Sequence, residues 1–358
     1  MSSNIALPTT QKAWMVVNQG KPRDALVFKT DVPVPKPKRG EVLVKVRAAA
    51  LNPVWVPPLC LSFWFLHGDF LSHVVLRSHA HRGWKVMGAM PNLLSKRPYP
   101  AEHDLAGVIV DANGTSFSDG DEVIGFIPVR KSYPNFSPRL INLAPALQFS
   151  SRQGALAQYV TLPEDNATLK PTKLTWEESA GLPLAALTAV QSLRLGGYDP
   201  ARALDTSAPT TANQESIFIN GGSTAIGIYA IQLAKALSLR VTASASARNE
   251  SFVRGVGADA FLDYTAKPVA EQLSAHPPDP RFGMVLDAAG SSDTALYVES
   301  GAYVKKGGAY VTTGPWPQGG WLGMVGRWTC AILRPAFLGG VPTTWKCVAC
   351  VLGWSDEC

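Results

Sequence analysis

Apolar and small residues follow one another between positions 216 and 239 in an order that predicts three consecutive elements. Residues 216–219 form a short apolar run, and a turn rich in glycine follows at Gly221–Gly227. Apolar side chains then recur at helical spacing, at Ile228, Ile231, Ala234 and Leu237. This pattern predicts a strand, a tight turn and an amphipathic helix. Such a sequence opens a dinucleotide-binding βαβ unit.

The glycine-rich turn has the residues that a diphosphate group requires. Unpaired backbone N–H groups at a helix N-terminus attract phosphate oxygens, and small residues let those oxygens come close. In the pattern G-x-G-x-x-G, the three glycine places are taken by Gly222, Thr224 and Gly227, so the central glycine is missing. By itself the turn could also be an ordinary strand-to-helix connection. The candidate diphosphate contacts are Gly222, Ser223, Thr224, Ala225, Ile226 and Gly227.

A second strand, predicted from residue 240 to 244, ends where a dinucleotide-binding protein selects its cofactor. An acidic residue there would hold the ribose 2′-OH, but this chain has Ser246, Ala247, Arg248 and Asn249. Hydroxyl groups and an arginine fit a 2′-phosphate instead. Tyr264 ends the next predicted strand and is a further candidate, the alternative being an aromatic residue of the core. The sequence therefore predicts NADPH as the cofactor.

Two later apolar runs have the same form and complete the prediction of a doubly wound parallel sheet. They lie at 283–290 and 307–314, each with glycines at its borders. Ligands of such α/β sheets bind at the carboxyl ends of the strands. We therefore expect the nicotinamide near Leu286, Asp287, Thr313 and Gly314.

The first part of the chain has a different pattern, with short alternating strands separated by Gly and Asp turns. Examples are EVLVKVRA from residue 41, DLAGVIV from 104 and DEVIGF from 121. This spacing predicts a β-rich, partly barrel-like domain. Thr175 and Glu178 form a capping box before a helix, and a second helix, at 184–195, links the domains. We place the first domain at 1–165 and the NADP-binding domain at 166–358.

Composition narrows the range of functions. The chain has 358 residues, enough for two domains, and a formal net charge of +6 without a basic block interleaved with aromatics. It therefore shows no sign of nucleic-acid binding. Five cysteines lack the spacing of a disulfide framework, which suggests a reducing compartment. The N-terminus lacks an apolar signal segment, and Pro, His and charged residues interrupt both longer apolar stretches. We expect a cytoplasmic protein without membrane spans.

These motifs together resemble those of the medium-chain dehydrogenase/reductase superfamily, on its zinc-free, quinone-oxidoreductase-like branch. Within it the chain is similar to the fungal trans-acting enoyl reductases that serve polyketide synthases. The resemblance covers roughly residues 11–345 and rests on segments such as DLAGVIV, GDEVIGF, GALAQYV, NGGSTAIG and GGAYVTTGPWP. It implies a GroES-like first domain, a Rossmann second domain, and no nucleic-acid or membrane partner.

The resemblance also implies a set of catalytic residues. Hydride addition to a conjugated C=C bond places negative charge on the carbonyl oxygen, which needs hydrogen-bond donors. Asn52, Lys85 and Thr188 match the family's positions. Each has a plainer alternative: an Asx turn before Pro53, a solvated lysine, and ordinary helix packing.

Metal binding is the property in which sister branches of the superfamily differ. The resembled zinc site would have a cysteine where Asn52 stands, and His103, between Glu102 and Asp104, lacks a thiolate partner. We therefore expect no metal.

The chain departs from the family pattern in two places. Residues 55–82, which hold four of the six histidines, separate Asn52-Pro53-Val54 from Gly83-Trp84-Lys85, two halves of one family segment. We interpret this block as a retained intron or mispredicted exon, with a surface insertion as the alternative. The second departure is at the C-terminus, where we expect the family's return to the first domain to be missing.

The function predicted from these features is reduction of an activated C=C bond in an enone or enoyl substrate by NADPH. The substrate is a small molecule or a group carried by a partner such as a polyketide synthase. One alternative is an NADPH:quinone oxidoreductase. Another is a non-catalytic product that binds NADPH without turnover. We expect a monomer or homodimer.

Overall fold

The computed structural model describes residues 7–18, 22–51, 64–65, 98–127, 153–204, 215–290, 294–313 and 343–348. Three predicted site residues, Asn52, Lys85 and Gly314, lie outside these ranges, as does the block at 55–82 except for Trp64–Phe65. The described residues belong to two compact units, which divide between Leu184 and Ala185.

The first unit is built from short, antiparallel strands. Among the described residues before position 170, the only α-helix is the short α1 (Pro22–Ala25). A 3-10 turn lies at Glu164–Asn166. The strands are β1 (Thr10–Val16), β2 (Leu26–Pro33), β3 (Glu41–Leu51), β4 (Trp64–Phe65), β5 (Tyr99–Pro100), β6 (Asp104–Asp111), β7 (Glu122–Phe126), β8 (Tyr159–Pro163) and β9 (Ala167–Leu169). They form two sheets in the orders β2-β1-β5 and β4-β3-β6-β7-β9, with β8 also pairing with β3. The predicted β-rich first domain is confirmed.

Strand β3 is the centre of this unit because it pairs with three other strands. It is antiparallel to β4, β6 and β8. Its apolar residues Val42, Val44 and Val46 are buried in one core with Leu105 and Ile109 of β6. From Val44 to Arg47, apolar and polar residues alternate because Val44 and Val46 face the core while Lys45 and Arg47 are exposed.

Helix α2 (Trp176–Ala180) extends the first unit beyond the boundary expected at residue 165. It begins with the predicted capping box, in which the Glu178 N–H donates to Thr175 Oγ1 (3.2 Å) and the Thr175 N–H to Glu178 Oε2 (2.9 Å). Ala180 is buried in a small cluster with Ala48, Ala106 and Ile124. Because this contact joins α2 to the sheet that contains β3, β6 and β7, the compact units divide after Leu184.

The second unit is a parallel sheet with helices between its strands. Helix α3 (Pro183–Leu195) leads into it. Then follow β10 (Ser216–Asn220), α4 (Ala225–Ala236), β11 (Arg240–Ala245), α5 (Glu250–Val256), β12 (Ala260–Asp263), α6 (Val269–Ala275), β13 (Phe282–Asp287), α7 (Ala295–Val298), β14 (Val304–Thr312) and β15 (Thr344–Cys347). The strand order is β12-β11-β10-β13-β14-β15, and every pairing is parallel. This order is that of the Rossmann fold, so the predicted fold class is confirmed.

The order of the strands reverses between β10 and β13, and this point positions the site. β10 is the first strand of the unit; β11 and β12 follow on one side, whereas β13 pairs on the other. All six residues of β13 are buried, as expected for a central strand covered on both faces. Ligands of doubly wound sheets bind in the crevice at such a reversal.

Candidate cofactor-binding site

The turn between β10 and α4 offers free backbone donors at a helix N-terminus. Thr224 is the N-cap of α4: its hydroxyl accepts from the Gly227 N–H (3.0 Å) and donates to the Gly221 carbonyl (2.8 Å). The residue that replaces the central glycine of the fingerprint is therefore a helix cap. Since Gly227 is satisfied in this way, the N–H groups of Ala225 and Ile226 remain for a ligand. The helix dipole adds partial positive charge at this point.

Two glycines make the turn possible. Gly221 has a φ of +85°, a conformation that residues with a side chain rarely adopt. A Cβ on Gly227 would lie 3.0 Å from the Cα of Gly222 and would overlap the carbonyl oxygen of Gly221. The helix must therefore begin against the bare backbone of the turn, which leaves room for a phosphate group beside it.

The end of β11 carries positive charge and hydroxyl groups. Ala247–Asn249 form a 3-10 turn in which Ala247 and Arg248 are exposed. Ser246 is only 9% exposed, and its hydroxyl has no hydrogen-bond partner among the described residues. A buried polar group without a partner calls for an explanation, and a bound ligand is one.

Tyr264 lies beside this turn and is exposed over 53% of its surface. Its backbone N–H donates to the carbonyl of Ala245, so the residue following β12 is held next to the end of β11. The alternative that Tyr264 is a core aromatic is therefore wrong. Contact with a 2′-phosphate stays a prediction.

One hydrogen bond joins the two predicted phosphate-binding loops. The side-chain amide of Asn249 donates to Ser223 Oγ at 3.2 Å. Ser223 belongs to the turn after β10, and Asn249 to the turn after β11. The fold thus brings together two groups of candidates that lie 26 residues apart in the sequence.

A buried polar network connects the carboxyl ends of four strands. Asn220 Nδ2 donates to Asp287 Oδ1 (2.8 Å), and the Tyr310 hydroxyl lies 3.4 Å from Asp287 Oδ2. Ser244 Oγ donates to Asn220 Oδ1 (2.7 Å) and accepts from the Gly221 N–H (3.1 Å). The Asp287 carboxylate is fully buried and, when ionised, can only accept hydrogen bonds. It therefore sets the donor-to-acceptor direction of each hydrogen bond in this network. The network therefore holds Gly221, the first residue of the glycine-rich turn.

Sequence reasoning named Asp287 but missed its partners Asn220 and Tyr310, and Ser244, which bonds to Asn220. The signal was a polar residue at the end of an apolar strand, which does not by itself tell which strands are neighbours. The other candidates near the nicotinamide are similarly placed: Leu286 is fully buried, and the Thr313 N–H donates to the Asp287 carbonyl at 3.2 Å. Their contact with the nicotinamide stays a prediction.

Thr188 lies in the middle of α3 and is 5% exposed. Its carbonyl accepts from Ser192 Oγ at 2.7 Å, one helical turn later. Burial is compatible with the plainer alternative of helix packing. The catalytic role of Thr188 stays a prediction, as do those of Asn52 and Lys85.

His103, the residue considered for zinc, is held by the first unit. Its Nδ1 lies 2.9 Å from the Ile127 carbonyl, and its ring stacks on Phe126 with centroids 5.7 Å apart. Burial lowers the pKa of His103 from 6.5 to about 4, although the bond to Ile127 opposes this shift. The described ranges contain no cluster of three or more His, Cys, Asp or Glu side chains that could hold a metal. Metal independence stays a prediction.

The sequence predicts a protein without membrane spans. In the part of the chain that the structure describes, no helix has both the length and the apolar character needed to cross a bilayer.

Comparison with solved structures defines the class of fold. The quinone oxidoreductase from Coxiella burnetii superposes with a TM-score of 0.60 at 20% identity, covering 95% of this chain and 82% of that one. Other solved structures of similar shape are alcohol dehydrogenases. The fold is therefore that of the medium-chain alcohol dehydrogenases and quinone oxidoreductases. No family model matches the chain.

Sequence comparison adds more specific relatives. The 2-methylene-furan-3-one reductase of Solanum lycopersicum is 30% identical over 314 residues, which cover 87% of this chain and 64% of that protein. The NADPH-dependent alkenal/one oxidoreductase, chloroplastic, of Arabidopsis thaliana is 30% identical over 315 residues, with the same coverage of 87% and 64%. The chain thus spans somewhat less than two thirds of each relative's length. Its homologues are oxidoreductases of the alkenal and quinone type.

Proposed function

We propose that this protein is an NADPH-dependent reductase of activated C=C bonds. The observation that carries the proposal is the pair of turns at the ends of β10 and β11. One presents the free N–H groups of Ala225 and Ile226 at a helix N-terminus, and the other presents Arg248 in place of an acidic residue. A dinucleotide with a 2′-phosphate has the two anionic groups that these turns would bind.

The residues present fit this cofactor. Ser223, Thr224, Ala225 and Ile226 would hold the diphosphate, in a turn that Gly227 approaches closely because it has no Cβ. Ser246, Arg248 and Tyr264 would hold the 2′-phosphate, and the unpartnered hydroxyl of Ser246 supports this assignment. When bound, the dihydronicotinamide supplies the hydride for the reduction.

The chain's own part in the chemistry is to orient the substrate and to stabilise charge on its carbonyl oxygen. Asn52 would donate its amide N–H to that oxygen, with Lys85 as a cationic donor and Thr188 as a hydroxyl donor. A single donor of this kind contributes about 3 kcal/mol to transition-state stabilisation. These assignments rest on the sequence motif.

The substrate class is an α,β-unsaturated carbonyl compound. The two relatives named for a methylene-furanone and for alkenals and alkenones support it. A carrier-bound enoyl thioester, delivered by a polyketide synthase, is the narrower form and rests on sequence resemblance alone. The structural likeness to quinone oxidoreductases favours a quinone as the second candidate.

Steady-state oxidation of NADPH by the full chain tests these alternatives. It should be measured with a small enone, a crotonyl thioester and a benzoquinone at equal concentrations. The proposal expects the highest kcat/KM for one of the two unsaturated carbonyl compounds, and exhaustive chelation should not change it. A quinone preference of tenfold or more would favour the second candidate. Binding of NADPH without turnover of any of the three would identify a non-catalytic product.

Location and assembly remain predictions. We expect a cytoplasmic monomer or homodimer, although relatives are named from chloroplasts and mitochondria. Fractionation of cells and size-exclusion chromatography test the two expectations separately.

A further inference from the structure

Asn249 occupies a helix N-cap without acting as one. It precedes α5, where an asparagine side chain ordinarily accepts a hydrogen bond from the first turn of the helix. Here that bond is absent, and the side-chain amide crosses to Ser223 Oγ, 3.2 Å away in the other loop. A side-chain cap of this kind ordinarily stabilises the helix, so the alternative contact needs a reason.

We propose that Asn249 is a positioning residue that acts through Ser223 on the cofactor's diphosphate; this rests on the proposed binding of NADPH. A serine hydroxyl has one proton to donate and two lone pairs to accept with. When Ser223 Oγ accepts from Asn249, its own proton remains available. That proton is directed to a phosphate oxygen at the N-terminus of α4.

The arrangement gives Asn249 a different role from its neighbour Arg248. Arg248 would bind the 2′-phosphate, which only NADPH has, whereas the diphosphate is common to NADPH and NADH. Replacement of Asn249 should therefore weaken both cofactors by the same factor and leave the ratio of their Kd values unchanged. The Asn249–Ser223 hydrogen bond also couples the two loops. The turn after β11, which would select between NADPH and NADH, orients a donor in the turn after β10, which would bind the diphosphate of either cofactor.

The test is a double-mutant cycle on the full chain, with NADPH and NADH titrated by fluorescence. Asn249→Ala and Ser223→Ala should each weaken both cofactors about threefold to tenfold, the value of one neutral hydrogen bond. The double variant should bind no more weakly than Ser223→Ala alone, because Asn249 acts through that hydroxyl. Gln232→Ala is the matched control, since it removes an exposed side-chain amide bond to the Ile228 carbonyl on α4. It should change neither Kd.

Asn249→Asp separates positioning from packing. The carboxylate has the same shape but would accept the Ser223 proton and place negative charge near the diphosphate, so both cofactors should bind about tenfold more weakly or worse. For Asn249→Ala and Ser223→Ala, the melting temperature of the cofactor-free protein should differ from that of the wild type by no more than it does for the Gln232→Ala control.

Three results would overturn the inference. One is an equal loss from Asn249→Ala in the wild-type and Ser223→Ala backgrounds. Another is a loss confined to NADPH. The third is unchanged affinity in Asn249→Asp. In each of these the wild type still binds NADPH, so the proposed function stands. A wild-type chain that binds neither dinucleotide would overturn the proposed function, and the inference with it.

Discussion

At the scale of single residues, the proposed recognition of the cofactor depends on charge at the end of β11. Arg248 is exposed, and its guanidinium has five N–H donors in a planar arrangement that suits phosphate. Ser246 beside it is buried with a hydroxyl that no described residue satisfies. A 2′-phosphate would supply acceptors for both, which is the physical basis of a preference for NADPH.

Arg248→Ala should therefore weaken NADPH binding without affecting NADH. A charge-assisted hydrogen bond to phosphate contributes about 2 kcal/mol, which corresponds to about a 30-fold rise in the Kd of NADPH. Titration of both cofactors measures it. Lys306→Ala is the control, since it removes an exposed positive charge near the opposite end of the sheet and should change neither Kd. Equal affinity of the wild type for both cofactors would contradict the assignment.

We expect His103 to make the first unit sensitive to acid. Its pKa is lowered to about 4 by burial, below the ordinary 6.5, so the folded state disfavours the protonated form. Stability is complete above about pH 6.5 and falls as the pH drops from 6.5 toward 4, because the unfolded chain binds the proton first. The total loss is about 3 kcal/mol.

His103→Gln should flatten this part of the stability curve, since glutamine can still donate to the Ile127 carbonyl but does not titrate. Urea unfolding between pH 4 and pH 7 measures the difference. His276→Gln removes an exposed histidine and serves as the control, with a profile like the wild type. A His103→Gln profile as steep as that of the wild type would show that other groups carry the acid sensitivity.

At the scale of elements, the strand-turn-helix unit β10–α4 depends on close contact between backbones. Gly221 takes up the positive φ, Thr224 caps the helix, and Gly227 lies against the turn without a side chain. Each residue satisfies a constraint that another creates: the cap brings the first turn of α4 down onto the loop, and only a glycine fits at that distance. The buried network from Asp287 to Gly221 also holds this turn, through the hydrogen bond from the Gly221 N–H to Ser244 Oγ.

Gly227→Ala tests this interdependence. The new Cβ would overlap the Gly221 carbonyl, so the turn must shift, and we expect a loss of stability of about 1–3 kcal/mol together with at least tenfold weaker NADPH binding. Gly255→Ala is a matched control in α5, where a Cβ meets nothing within 4 Å. There alanine should stabilise the helix by up to about 1 kcal/mol. Thermal unfolding and fluorescence titration measure both effects, and an unchanged Kd in Gly227→Ala would contradict the tight-turn account.

At the scale of the whole molecule, every described candidate for cofactor binding lies in the unit that begins at Ala185. The block at 55–82 belongs to the other part of the chain, where it separates Asn52 from Lys85 in sequence. Its described residues, Trp64–Phe65, pair with Ala50–Leu51 at the end of β3. Cofactor binding and the effect of the block should therefore be separable.

Deletion of residues 55–82 should leave the Kd of NADPH within about twofold of the full chain, because every candidate cofactor-binding residue lies outside the block. We expect turnover to rise, since a catalytic group displaced by about an ångström loses roughly a hundredfold in rate. Titration and kcat measured on the same preparation check both. Retained NADPH binding with loss of all turnover would instead identify the block as a functional insertion.

The sequence by itself determined the class of fold and named the candidate residues of the cofactor site. The apolar runs that end in glycine at 219–222 and 285–290 are local signals, because a buried parallel strand and the helix after it each leave their own periodicity. The same holds for Thr175 and Glu178, whose capping box requires only residues three positions apart.

Only the tertiary structure decided which of these residues meet. Three sets of contacts join segments that are distant along the chain. They are those of Asn249 with Ser223, of Asn220 with Ser244 and Asp287, and of Ala180 with the sheet that contains β3, β6 and β7. Strand order brings them together, and no local pattern encodes it. The compact units divide after α2 for this reason, since the side chains that hold that helix belong to β3, β6 and β7.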